Sequence, residues 1–138
     1  MGYHRAGFEV TGVDINPEPH YPFRFIQADA LTFPLDGYDV IHASPPCQHY
    51  SDLAARNGNR AAHPDLVALV RERIGHLPYI IENVPEAPLL NPVVLCGTMF
   101  EGLRVLRHRG FESNLPLRVP AHGAHPLIGD ERAGGQIA

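Results

Sequence analysis

Cysteine is scarce in this chain. Its 138 residues include two, Cys47 and Cys96, which follow different apolar runs and form no CxxC pair. That excludes a disulfide framework, and both read as free thiols. Long apolar runs are missing too: none approaches the roughly 20 residues that span a bilayer. The opening stretch MGYHRAGFEV lacks the apolar core of a signal peptide. Its first positions fit the loose myristoylation pattern, but a helix start explains those residues better. A cytoplasmic protein with no membrane partner is the expectation. Positive charge is not in excess either. The net charge of -4 gives no overall attraction to nucleic acid. Locally, Arg104, Arg107, His108 and Arg109 cluster and could meet an anion. Metal-ligand spacing is also absent. The nine histidines are scattered, with no HExxH or Cys/His pattern, and the closest pair, His122 and His125, lies in a Pro/Gly-rich tail. No metal is expected. What remains, 44% hydrophobic and 19% charged residues, is ordinary for one globular domain with one core.

Short apolar runs punctuated by turn residues organise the chain. FEVTGVDI (8–15) reads as a strand ending at Asp14, before Asn16-Pro17. PEPHYP (17–22) holds three prolines, so no long helix fits there. FRFIQAD (23–29) and YDVIHAS (38–44) are further strands, the latter closed by Pro45-Pro46. HPDLVALVRERIGHL (63–77) has apolar residues at helical spacing, with Gly75 near its end. PYIIENV (78–84), NPVVLCG (91–97) and LRVLRHRGFES (103–113) complete the strands, and the pattern fades from Pro116. Short apolar strands suit a parallel sheet buried on both faces, which predicts an α/β doubly wound fold. Ligands in such folds bind beyond the carboxyl ends of the strands.

Those ends carry chemistry. Asp14 could take ribose hydroxyls and Asp29 an adenine amino group; alternatively each is a turn or helix-cap carboxylate. Pro45 and Pro46 fix φ and place Cys47 rigidly, as a nucleophile requires, though a free cysteine is also a common buried packing residue. Glu82-Asn83 ends its strand; a carboxyl there suits a general acid, or else a salt bridge or cap.

SPPCQ (44–48) followed by ENV (82–84), with GVDI upstream and RHR (107–109) downstream, resembles a cytosine-C5 DNA methyltransferase. The resemblance covers residues 2–114. It implies a Rossmann-like methyltransferase domain over 1–115, with a mostly parallel sheet and helices on both faces, followed by an irregular tail over 116–138. It implies S-adenosylmethionine as methyl donor, bound by Asp14, Ile15, Asp29, Ala30 and Pro46. Cys47 would attack C6 of a cytosine flipped from DNA, Glu82 would act at N3, and Arg107 and Arg109 would hold the base or its phosphate. Ser44, Pro45, Gln48, Asn83 and Val84 would line the base pocket.

The family's glycine-rich first motif should precede GYHRAGF, and a target-recognition region should follow the RxR segment; neither is in this sequence. A sheet lacking that first strand has an exposed edge, which self-association or a second chain could complete. Two other readings stand beside catalysis of this kind. One is a non-catalytic module that binds DNA or a partner chain. The other is a cysteine hydrolase, for which His42 or His49 would have to serve Cys47 as base.

Overall fold

The computed structural model describes residues 1–50, 64–103, 105–123 and 125. His63 of the expected helix, Arg104 of the basic cluster and residues 126–138 of the tail lie outside these. The chain divides into two compact units, Met1–Tyr38 and Asp39–Ala138.

The first unit opens with a single helical turn, α1 (Gly2–Arg5), followed by β1 (Thr11–Asp14) and β2 (Arg24–Gln27). These two strands pair in parallel, Thr11 opposite Arg24 and Asp14 opposite Gln27. A parallel pair is usually joined through a helix. Here Pro17, Pro19 and Pro22 forbid one, and the link returns through a turn in which the Tyr21 N–H donates to the Glu18 carbonyl. The Tyr21 ring then lies directly over Gly12: a Cβ there would fall 2.7 Å from it, so β1 needs glycine at that point. Tyr21 also meets Phe23 and Phe25, with centroids 5.9 and 5.8 Å away. No described residue of this unit is fully buried.

The second unit holds β3 (Ile41–Ala43), α2 (Val67–Ile74), β4 (Tyr79–Asn83), β5 (Val93–Cys96) and β6 (His108–Ser113). A single 3₁₀ turn, Gly97–Met99, follows β5. The sheet order is β3-β4-β6-β5. β3 and β4 are parallel; β6 runs antiparallel to both β4 and β5. The strand β4 alternates, with Tyr79, Ile81 and Asn83 buried and Ile80 and Glu82 half-buried. On α2, Val67 and Ile74 are buried seven residues apart, two turns along one face. Tyr50, Val67 and Ala87 form a core cluster, with Val84 and Leu89 packed against it. Each large apolar side chain so buried contributes about 1.5–3 kcal/mol.

This architecture corrects the expected fold class. Half of the strand pairings are antiparallel, the strands fall into two sheets, and the described helices are one of four residues and one of eight. A mostly parallel Rossmann-like sheet with helices on both faces is not formed. The physical reason lies in the connections. Pro85, Pro88 and Pro92 break the link from β4 to β5 as Pro17, Pro19 and Pro22 break that from β1 to β2, so no helix can cover a face there. The strands themselves lie where the apolar runs predict them.

A buried ion pair holds the second unit together. Glu112 on β6 is 1% exposed. It accepts from Arg71 Nε at 2.6 Å and Nη2 at 2.8 Å, from Tyr79 Oη at 2.9 Å and from the Leu90 N–H at 2.7 Å. Burial pushes this carboxyl up, but the hydrogen bonds, from Arg71 above all, outweigh it and hold it below the usual carboxylate range. Arg71 also donates to the Pro88 carbonyl at 2.7 Å. One carboxylate thus ties α2, β4, β6 and the β4–β5 link. Among the described residues, no helix is long and apolar enough to cross a membrane.

Candidate active site

The stretch Ser44–Gln48 leaves the carboxyl end of β3, beside the end of β4. Two contacts fix it there. Asn83, 1% exposed, donates from Nδ2 to the Pro45 carbonyl at 2.8 Å, and its Oδ1 accepts from the Val84 N–H at 2.9 Å. Pro45 is itself buried, so this carbonyl would otherwise lack a partner in a dry place. Beyond it, Cys47 opens a turn in which the Tyr50 N–H donates to the Cys47 carbonyl at 3.0 Å. The buried Tyr50 carries the loop into the core. Its hydroxyl donates to Asp65 and accepts from the Val67 N–H at 3.4 Å, satisfying a backbone donor at the start of α2. Burial, with the hydrogen bond to Asp65, pushes the Tyr50 phenol up to about 12. Cys47 is half-buried between these two anchors and keeps access to solvent.

Glu82 points to the opposite face of β4 from Asn83 and pairs with Arg109 of β6, Nε to Oε1 2.9 Å. Both side chains are about one-fifth exposed, at 21% and 22%. Asn83 thus ties the loop of Cys47 to the end of β4, while Glu82 and Arg109 pair with each other from the adjacent strands β4 and β6. Arg107 is exposed just before β6, and the bond to Glu82 comes from Arg109. Pro46 and Gln48 are exposed on the loop. Ser44 Oγ meets His42 Nε2 at 3.0 Å. Desolvation lowers the His42 imidazole's pKa and the Glu82 charge acts against it. His49 packs edge-on against the Tyr50 ring, centroids 5.1 Å apart. Neither of these histidine contacts is to Cys47. Val84, expected at the base pocket, packs against the Tyr50–Val67–Ala87 cluster.

Of the residues expected to hold the methyl donor, Asp14, Ile15, Asp29 and Ala30 belong to the first unit and Pro46 to the second. Asp14 ends β1, and its Oδ1 accepts from the Asn16 N–H at 2.8 Å and from Asn16 Nδ2 at 3.2 Å. Asp29 follows β2, and its Oδ1 accepts from the Leu31 N–H at 2.8 Å. Each carboxylate thus closes a local turn. Ile15 and Ala30 are exposed beside them. A carboxylate offers about four acceptor sites. Two exposed carboxylates at the ends of adjacent parallel strands remain able to accept from hydroxyl and amino groups.

A second cluster escaped the sequence reading. Cys96, His108, His122 and His125 converge in the second unit. Burial pushes the Cys96 thiol up, but hydrogen bonds from Thr98, His122 and His125 outweigh it and bring it down to about 6. The local signal, His-x-x-His at 122–125, was visible; the partners 14 and 26 residues upstream of His122 were not.

Comparison with known proteins adds nothing to this geometry: no family model, no curated protein and no solved structure matches the chain.

Proposed function

We propose that the chain is a DNA cytosine-C5 methyltransferase in which Cys47 is the nucleophile. The observation that supports this most is the hydrogen bond from Asn83 to the Pro45 carbonyl, because it fastens the proline-bound cysteine loop to the strand end that carries Glu82. Cytosine C5 is a weak nucleophile. Addition of the Cys47 thiolate to C6 converts the ring to an enamine, whose C5 can take up a methyl group. S-adenosylmethionine supplies that methyl as an electrophile. Glu82 acts at ring N3, where it shares or gives a proton as negative charge develops on addition. Arg109 orients Glu82 through their 2.9 Å contact and can present its remaining N–H groups to the base or a phosphate. Loss of the C5 proton and departure of Cys47 restore the ring. Asp14 and Asp29 are the acceptors for the donor's ribose and adenine. The target base must leave the helix stack to meet Cys47.

Trapping tests the proposal. The folded chain, with S-adenosylmethionine and DNA bearing 5-fluorocytosine, should form a covalent adduct that maps to Cys47 and is lost in Cys47→Ser. Fluorine at C5 cannot leave as a proton does, so the adduct persists. A folded sample that binds S-adenosylmethionine by calorimetry yet forms no adduct at any donor concentration overturns the catalytic reading and leaves a binding module.

A further inference from the structure

In the β5–β6 ladder Cys96 lies opposite His108. Directly opposed residues project from the same face as close neighbours. The chain returns past them after β6, and His122 and His125 bring two more imidazoles to the same point. His108 Nε2 lies 3.3 Å from His122 Nε2, His122 Nε2 lies 3.2 Å from His125 Nε2, and Cys96 Sγ lies 3.5 Å from His125 Nε2. All four donor atoms fall within 4.8 Å of one another.

Hydrogen bonding among these groups cannot satisfy them. A neutral imidazole nitrogen carries either a proton or a lone pair. His122 Nε2 faces two other ring nitrogens at contact distance, so it can be matched to one of them only. The other contact is left without a directed hydrogen bond. A cation at the centre removes that conflict, because every nitrogen then presents a lone pair and the sulfur a thiolate. The spacing fits a particular cation. With Zn–N of 2.0–2.1 Å and Zn–S of 2.3 Å, a tetrahedron places nitrogens about 3.3 Å apart and sulfur about 3.6 Å from nitrogen. The three close separations match those edges, and the remaining pairs lie within 4.8 Å. Thiolate and imidazole ligands also exclude the hard cations that prefer oxygen.

We propose that Cys96, His108, His122 and His125 are the four ligands of a structural zinc ion that ties the segment after β6 to the β5–β6 ladder. Four protein ligands leave no open position, which marks such a site as structural. The surroundings support it. Thr98 Oγ1 donates to Cys96 Sγ at 3.2 Å, the outer partner a ligating thiolate calls for. Gly97 lets the chain turn there: a Cβ would fall 2.5 Å from the Val105 carbonyl oxygen. The site is independent of the chemistry at Cys47.

The full chain, stripped with chelator and titrated with zinc alone, should take up one equivalent and keep it through dialysis. Titrated with cobalt(II) alone, it should show the intense visible bands of a tetrahedral ion and a near-ultraviolet thiolate-to-cobalt band. Cys96→Ser should abolish the thiolate band. Because Cys96 is buried and that variant could fail to fold, His122→Ala and His125→Ala provide a second test, as both residues lie outside the helices and strands. Loss of an outer partner alone weakens metal sites about 10–100-fold, so each histidine variant should weaken zinc by more than about a hundredfold. A folded chain that takes up no stoichiometric metal overturns the proposal. So does a cobalt spectrum without the thiolate band, or unchanged affinity in His122→Ala and His125→Ala.

Discussion

Replacing Arg71 with methionine removes the guanidinium from a carboxylate that has almost no water. Methionine keeps much of the apolar stem, so the change isolates the charge. Glu112 then retains two of its four bonds, from Tyr79 and the Leu90 N–H. Removing one partner of a fully buried pair costs about 3–5 kcal/mol. Arg71 is 21% exposed, so water can reach part of the vacated space, and about 2–3 kcal/mol is the better expectation. Against a total stability of about 5–15 kcal/mol, that is a large fraction. Urea unfolding followed by circular dichroism should show the midpoint falling with an unchanged slope. The pH dependence fixes the cause. The folded-state pKa of Glu112 is depressed. Its stabilisation is therefore fully present above the unfolded value near 4.3 and is lost as pH falls through the folded value. The gap between wild type and Arg71→Met should be widest at neutral pH and shrink below about pH 4. A gap under about 1 kcal/mol at pH 7, or one that persists unchanged at low pH, would refute the assignment of Glu112 as a charge held by Arg71.

Two further outcomes follow from the anchors of the cysteine loop. Asn83→Ala leaves the buried Pro45 carbonyl unpaired and should cost about 1–3 kcal/mol in urea unfolding, with slower adduct formation at Cys47 in the folded population; undiminished trapping would show that the loop is positioned by something else. Tyr50→Phe should remove from the ultraviolet pH titration the phenol that ionises latest, near 12. Its folded pKa is raised, so the stability tied to its proton is present below the unfolded value near 10 and is lost as pH rises through 12.

Much of this was legible locally. The runs around Val13, Ile26, Ile41, Ile81 and Val94 are strands because β-branched residues alternate between turn-forming ones. The motif pair at 44–48 and 82–84 does come together, because parallel pairing of β3 with β4 places their carboxyl ends side by side. Strand direction was not legible. Nothing in RHRGFES states that β6 inserts antiparallel between β4 and β5, since alternation has the same period whichever way a strand runs. The prolines at 17–22 and at 85, 88 and 92 do speak against helices on both faces, since each link they break is too short of helix-forming residues to cover the sheet. Glu112 was hidden for another reason: a charged residue in a strand reads as solvent-facing, and only Arg71, 41 positions away, makes its burial tolerable. The cluster at Cys96 is likewise assembled by a ladder and a returning chain, which ligand spacing along the sequence cannot reveal.

The loop of Cys47 is held on both sides, at Pro45 by Asn83 and at Tyr50 by Asp65 and Val67. The span between is closed by a turn and begins with a ring-locked φ at Pro46. The thiol's position is thereby reduced to one free torsion, χ1 of Cys47, with three staggered wells. Selecting one well out of three costs at most RT ln 3, about 0.6 kcal/mol, whereas ordering a free backbone residue costs about 1–2 kcal/mol before any side chain is placed. Folding has already met that larger cost, so what is left to the moment of reaction is a single rotamer hop.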